Sequence, residues 1–147
     1  MAGAQPHIHF EDVSVGYGER VVQRDLDFTI GRSEIFAIMG PSGCGKSTLM
    51  RSAVGLLQPL KGRIFYAEES FWDAEPERQK ILMRSFGVMY QSGALWSSMS
   101  VAENIMLPLT EFAGLTGEHA KEIALLKLAL VGLAGFEEYY PSEISGG

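Results

Sequence analysis

Nine residues, GPSGCGKST from Gly40 to Thr48, restrict this chain more than any other stretch. They fit the pattern G-x-x-x-x-G-K-[ST], and their surroundings match what that pattern requires. The apolar run Ile35-Phe36-Ala37-Ile38-Met39 precedes them, and Leu49, Met50, Ala53 and Val54 recur behind them at helical spacing until Gly55. The order is therefore strand, turn, helix. An unbroken apolar run of five residues predicts a strand buried on both faces. Glycines at 40, 43 and 45 let the backbone take turns that a Cβ would obstruct and bring its N–H groups close to an anion. The helix that follows adds the positive end of its dipole. Lys46 supplies a mobile cation for β- and γ-phosphates, and the Ser47 hydroxyl can bind Mg²⁺. Average residue usage produces the four fixed positions by chance in roughly one protein of this size in two hundred, and the strand–helix context lowers that further. Cys44 fills a free position of the pattern and reads as incidental.

The remainder of the chain reads as an alternation of strands and helices. Val13, Val15 and Tyr17 alternate before the turn-like Gly18-Glu19-Arg20, and Leu26, Phe28 and Ile30 alternate after it. That pattern predicts an antiparallel hairpin with one buried face. Gly62–Tyr66 and Phe86–Tyr90 are strand-like, and the polar stretch ESFWDAEPERQK between them reads as a surface excursion leading into a helix. Ser100 and Glu103 stand at capping-box spacing, so a helix starts there and meets Pro108. A second helix is predicted over Thr116–Val131, with Ala120, Ile123, Leu126 and Leu130 on one stripe and Gly132 as terminator. Such an order implies an α/β domain with a partly parallel core sheet.

Composition excludes several classes of function. Among 147 residues the formal net charge is −6, which argues against a surface built to hold nucleic acid. One cysteine rules out an internal disulfide framework and suits a reducing compartment. No apolar run reaches the ~20 residues of a membrane helix, so membrane work would pass through a partner. MAGAQPHIHF lacks the layout of a signal peptide.

A phosphate loop alone also suits a small kinase, a GTPase or a helicase core. The order of motifs narrows the choice. Some forty residues of antiparallel strand come first, Gln91 closes a later strand, and Ser145-Gly146-Gly147 stands last. In this order the chain resembles the nucleotide-binding domain of ABC transporters from about Ile8 to Gly147. The resemblance implies an α/β P-loop NTPase fold of the ABC ATPase type. About 1–33 would form an antiparallel β subdomain, 34–91 the P-loop core, and 92–147 the helical subdomain up to the signature. It further implies that Gly40, Pro41, Ser42, Gly43, Cys44, Gly45, Lys46, Ser47 and Thr48 hold ATP and that Tyr17 stacks on adenine. Gln91 would join Ser47 at Mg²⁺ and link that site to the membrane subunit. Ser145, Gly146 and Gly147 match the signature, with Ile144 where leucine is commonest, and would cap the γ-phosphate of ATP on the other subunit of a homodimer.

Taken singly, these residues have plainer readings. Tyr17 alone is an ordinary strand aromatic, Gln91 a polar strand end and Ser-Gly-Gly a loop; their order around the phosphate loop reverses all three. Leu95, Trp96 and Met99 in SGALWSSMS stand among small polar residues, as a docking patch for a transmembrane permease subunit or as a small core. The runs QSGAL, NIMLPL and PSEISGG most resemble the ATPases of Mla-type lipid transport systems. These resemblances place the protein at the cytoplasmic side of the cell membrane, held there through its partner, with no nucleic acid bound. An alternative is a soluble ABC-type ATPase acting on ribosomes or DNA, which predicts a basic surface or a second cassette. The family's Mg²⁺-organising aspartate, water-orienting glutamate and switch histidine follow the signature, and none of His7, His9 or His119 matches the last. Residues 1–147 by themselves are therefore expected to bind nucleotide at most, without turnover, and to fold poorly as the front of a larger domain.

Overall fold

A computed structural model of the protein describes residues 6–90 and 94–145. Gln91, Gly146 and Gly147 lie outside the described residues. The chain divides into two compact units, Met1–Val88 and Met89–Gly147.

The first unit is built on a four-stranded antiparallel sheet in the order β2-β1-β3-β4. Strand β1 spans Pro6–Tyr17, β2 Arg20–Gly31, β3 Lys61–Tyr66 and β4 Glu69–Ser70. The predicted hairpin is present: Ile8 faces Ile30, Phe10 faces Phe28 and Tyr17 faces Arg20. On its other edge β1 pairs with β3, with Phe10 opposite Ile64. One face of the sheet buries Phe10, Val13, Val15, Ile64 and Tyr66, and these pack with Leu49 of helix α1 (Lys46–Ala53) and with Phe71. The excursion after β3 is thus not wholly surface, since Phe71 is fully buried and Trp72 meets its ring edge-on at 5.2 Å. Helix α2, Pro76–Met83, follows it.

Two expected strands form no ladder. Residues 35–39 pair with no strand among the described residues, and the same holds for 86–90. Their side chains nevertheless alternate as in a strand. Phe36 stacks on Phe28 at 5.1 Å and Ile38 packs against the sheet core, whereas Ile35 is 98% and Met39 87% exposed. Phe86 stacks on Tyr66 at 5.4 Å, while Met89 is 98% exposed. The expected burial on both faces is therefore not found: one side of residues 35–39 is only partly covered, with Ile38 half-buried and Phe36 still 41% exposed, and the other is open. No described element covers the other side, and no parallel pair occurs among the described residues.

The second unit pairs α3 (Val101–Glu111) with α4 (Gly117–Leu130). The capping box at the start of α3 is complete. The Glu103 N–H donates to Ser100 Oγ at 3.2 Å, and the Ser100 N–H donates to Glu103 Oε2 at 2.7 Å. The helix continues through Pro108 to Glu111. Thr116 caps α4, and beyond its end Gly132 takes a positive φ of 78°. The buried stripe of α4 is Ala120, Ala124 and Leu128, not the predicted Ala120, Ile123, Leu126 and Leu130. Leu126 and Leu130 are exposed. A 3-10 turn at Pro141–Glu143 leads to Ile144, which packs on the small core of Val101, Ala102, Ala124 and Leu128.

Exposed apolar side chains on unpaired, strand-like segments invite pairing with another chain. Residues 1–147 expressed alone should therefore self-associate, and Ile35→Lys with Met89→Lys should reduce it. Sedimentation velocity would show species heavier than a monomer; a monomer at every concentration would contradict this reading of the two segments.

Candidate functional site

The turn between residues 40 and 45 is held from three sides. From the core, Leu49 buries the first turns of α1 and so fixes where the helix begins. From β2, the Gln23 side-chain amide donates from Nε2 to the Cys44 carbonyl at 2.9 Å. From within, the Lys46 ammonium folds back and donates to the carbonyls of Gly40 at 2.7 Å and Pro41 at 2.8 Å. It also lies 3.7 Å from Cys44 Sγ.

Glycine is required at two of these positions for different reasons. Gly45 takes φ of +98°, and a Cβ there would stand 2.6 Å from Val22 Cγ1 and 3.1 Å from Gln23 Cγ. Gly43 takes φ of +81°, and a Cβ there would meet nothing within 4 Å. The first glycine lets the loop close against β2, and the second leaves its open side free for a ligand to approach the backbone.

These features fit a polyphosphate. Gly45 is the N-cap of α1 and offers no side-chain cap, and the first turn carries no acidic residue. The leading N–H groups of the helix are consequently available to an anion, at the positive end of the dipole. Lys46 is half-buried and adjacent, and Ser47 is exposed beside it. Among the described residues no three His, Cys, Asp or Glu side chains group as metal ligands. A Mg²⁺ ion here would be held by the Ser47 hydroxyl together with phosphate oxygens, which suits a cation that keeps most of its ligands outside the protein.

Tyr17 ends β1 next to the same helix. Its ring is 46% exposed, and its hydroxyl accepts from Arg51 Nη1 at 2.9 Å. Hydrogen bonding to Thr48, then to Arg51, holds the phenol below its ordinary pKa. The structure thereby sets Tyr17 against helix α1 through Arg51 of its last turn, while Lys46, Ser47 and Thr48 open the first turn of the same helix. Arg51 and Gln23 belong to this arrangement and were not singled out from sequence. Gln23 has one visible signal, a polar residue within the strand-like run that follows Gly18; Arg51 has none.

The other candidate residues lie in the second unit. Leu95 and Trp96 are exposed, and Met99 is half-buried. Met99 lines a groove of about 430 Å³ with Ser98, Glu103, Met106, Leu107 and Thr110. Ser145 lies exposed at the edge of a second groove of about 470 Å³, which is walled by Leu95, Val101, Ile105, Leu128 and Ile144. Neither helix of this unit is long and apolar enough to cross a membrane, nor is any other described helix. Gln91, Gly146 and Gly147 are outside the described residues.

A loop of this form behind an antiparallel sheet, opening a helix that starts on Lys-Ser-Thr, defines a nucleotide-binding P-loop protein. Its family is settled by comparison: the family model described as ABC transporter matches residues 23–147, and the chain belongs to that family. It is 36% identical over 140 residues to the intermembrane phospholipid transport system ATP-binding protein MlaF of Escherichia coli K12, covering 95% of this chain and 52% of MlaF. It is 35% identical, again over 95% of this chain, to the probable ribonucleotide transport ATP-binding protein mkl of Mycobacterium tuberculosis, of which it covers 39%. The chain thus spans about half or less of the length of these relatives. Among solved structures, the dimeric bacterial ABC transporter cassette MJ0796 matches with a TM-score of 0.81 at 27% identity, over 95% of this chain and 63% of that one. The same cassette in a post-hydrolysis state bound to ADP and Pi matches with a TM-score of 0.79 at 25% identity, over 94% and 63%.

Gly45→Ala in the full-length protein should disturb the loop with little effect elsewhere. Positive φ costs a non-glycine residue about 1–2 kcal/mol, and the contact with Val22 adds to it. ATP affinity measured by titration should fall, with a small drop in thermal midpoint. An unchanged affinity would show that the loop tolerates a Cβ against β2.

Proposed function

We propose that this chain forms the nucleotide-binding part of the ATPase subunit of an ABC transporter. The observation that carries the proposal is the Lys46 ammonium folded over a glycine turn at an uncapped helix N-terminus. In this reading the backbone N–H groups from Gly43 to Thr48 receive the phosphates of ATP. Lys46 exchanges its carbonyl partners for β- and γ-phosphate oxygens, a stronger charge-assisted contact. Mg²⁺ bound at Ser47 would neutralise phosphate charge. Tyr17 offers its exposed ring face to the adenine, while Arg51 donates to the hydroxyl and so restrains the ring. The loop residues Gly40, Pro41, Ser42, Cys44 and Gly45 shape the cradle.

Residues beyond this unit extend the proposal to the whole protein. Gln91 would join Ser47 at the metal, and Ser145, Gly146 and Gly147 would close over nucleotide held by a second copy of the protein. Support comes from the match to a cassette solved as a dimer and from the order of the motifs. Leu95, Trp96 and Met99 would dock a transmembrane permease at the cytoplasmic face, since no described helix can cross the membrane itself. An exposed tryptophan beside a groove containing two methionines suits an apolar, adaptable contact. The likeness to MlaF, together with QSGAL, NIMLPL and PSEISGG, favours a lipid cargo over the ribonucleotide of the mkl name. The net charge of −6 disfavours the alternative of an ATPase working on nucleic acid.

One experiment separates the two nucleotide contacts in the full-length protein. Lys46→Ala should weaken both ATP and inorganic triphosphate about tenfold to a hundredfold, the range for a hydrogen bond to a charged group. Tyr17→Ala should weaken ATP roughly tenfold and leave triphosphate nearly unchanged, because only the base is stacked. Competition titration against a fluorescent ATP analogue reads both. Intact affinity in the Lys46 variant, or equal losses of both ligands in the Tyr17 variant, would contradict the assignment.

A further inference from the structure

The loop that carries Trp96 is held by one side chain. Asn104, in the second turn of α3, lies within hydrogen-bond distance of four backbone groups before the helix, with the two hydrogens of its Nδ2 shared among three carbonyls. Its Oδ1 accepts from the Trp96 N–H at 2.7 Å. Its Nδ2 donates toward the carbonyls of Trp96 at 3.0 Å, Met99 at 3.2 Å and Ser100 at 2.9 Å. The Met99 N–H closes a turn onto the Trp96 carbonyl at 3.2 Å. Both backbone groups of Trp96 are thus tied to a single carboxamide.

This arrangement is costly unless it serves something. The Trp96 side chain is 63% exposed, although a large apolar ring on a free loop gains by folding against nearby apolar surface. Two apolar grooves lie within the same unit, and Met99 lines one of them. Asparagine is also among the weaker helix formers, and its side chain favours local backbone partners over helical continuation. The bonds made here fix the loop and leave the helix intact.

We infer that Asn104 is a positioning residue that presents Trp96 to the membrane partner in its bound conformation. Preorganisation of this kind lowers the entropy lost on binding and raises affinity without adding a contact. The inference rests on the docking role proposed above for Trp96. The carboxamide is specific to the task. A carboxylate of the same shape keeps the acceptor for the Trp96 N–H but turns an oxygen toward three carbonyls. An alanine removes the accepted bond and both donors together.

The test uses the full-length protein co-expressed with the transmembrane permease subunit proposed as its partner, and reads how much of that subunit co-purifies. Three variants are compared, Asn104→Asp, Asn104→Ala and Trp96→Glu, with ATP affinity and hydrogen exchange measured on each. All three should keep ATP affinity, and all three should lose about tenfold or more of the co-purifying subunit, the effect of one to two net hydrogen bonds. Only the Asn104 variants should speed exchange of the Trp96 amide, with the amides of α3 beyond its first turn unchanged. Retention of the subunit by Trp96→Glu would overturn the docking role and the inference with it. Loss in Trp96→Glu with retention in both Asn104 variants would overturn the inference alone. A fall in ATP affinity, or exchange raised throughout α3, would assign Asn104 to general folding and likewise overturn it.

Discussion

Strand β1 is hydrogen-bonded along both of its edges, to β2 and to β3, and the phosphate loop is positioned by what hangs from it. Its inward residues Phe10, Val13 and Val15 are almost fully buried and form the floor on which Leu49 of α1 rests. Its last residue, Tyr17, bonds to Arg51 on the same helix. Its hairpin partner β2 supplies Val22 and Gln23 against Gly45 and Cys44. A short helix of eight residues would be marginal in isolation, so its start is set by these contacts and not by propensity. The start of α1 and the loop before it are consequently set by sheet packing, although neither belongs to the sheet.

The second unit solves a different problem with a similar device. Its core is small, and the first turns of α3 must hold the incoming chain. Ser100 and Glu103 bond reciprocally, and Asn104 ties the preceding turn. The N–H groups of Val101 and Ala102, free at a helix start, donate to the carbonyls of Tyr139 and Glu137. In α1 the corresponding N–H groups have no side-chain cap. The two helix starts thus differ: that of α3 is saturated by its own chain, whereas that of α1 has no side-chain cap, as the proposed phosphate site requires.

Local chemistry made much of this legible in the sequence. The hairpin followed from alternation, the loop from spaced glycines and a lysine, and the start of α3 from serine and glutamate three apart. What sequence could not give were choices settled by distant neighbours. Leucines at 125, 126, 128 and 130 crowd α4, so spacings of three and four fit equally well, and packing on α3 selected Ala124 and Leu128. The run at 35–39 has the composition of a strand covered twice, yet cover is supplied by other segments and only Phe36 and Ile38 receive it. Asn104 and Gln23 act through side-chain bonds to backbone carbonyls, which leave no mark on hydrophobic periodicity. Gln91, Gly146 and Gly147 rest on the order of motifs alone.

The central claim is that backbone amides of the loop and the first turn of α1, not side chains alone, hold the nucleotide phosphates. Amide-resolved hydrogen exchange of the full-length protein, with and without Mg·ATP, measures this directly. The account predicts that the amides from Gly43 to Thr48 slow on nucleotide addition while those of β1 and β2 remain as they were. Unchanged exchange across Gly43–Thr48 with ATP bound would place the phosphates elsewhere and contradict it.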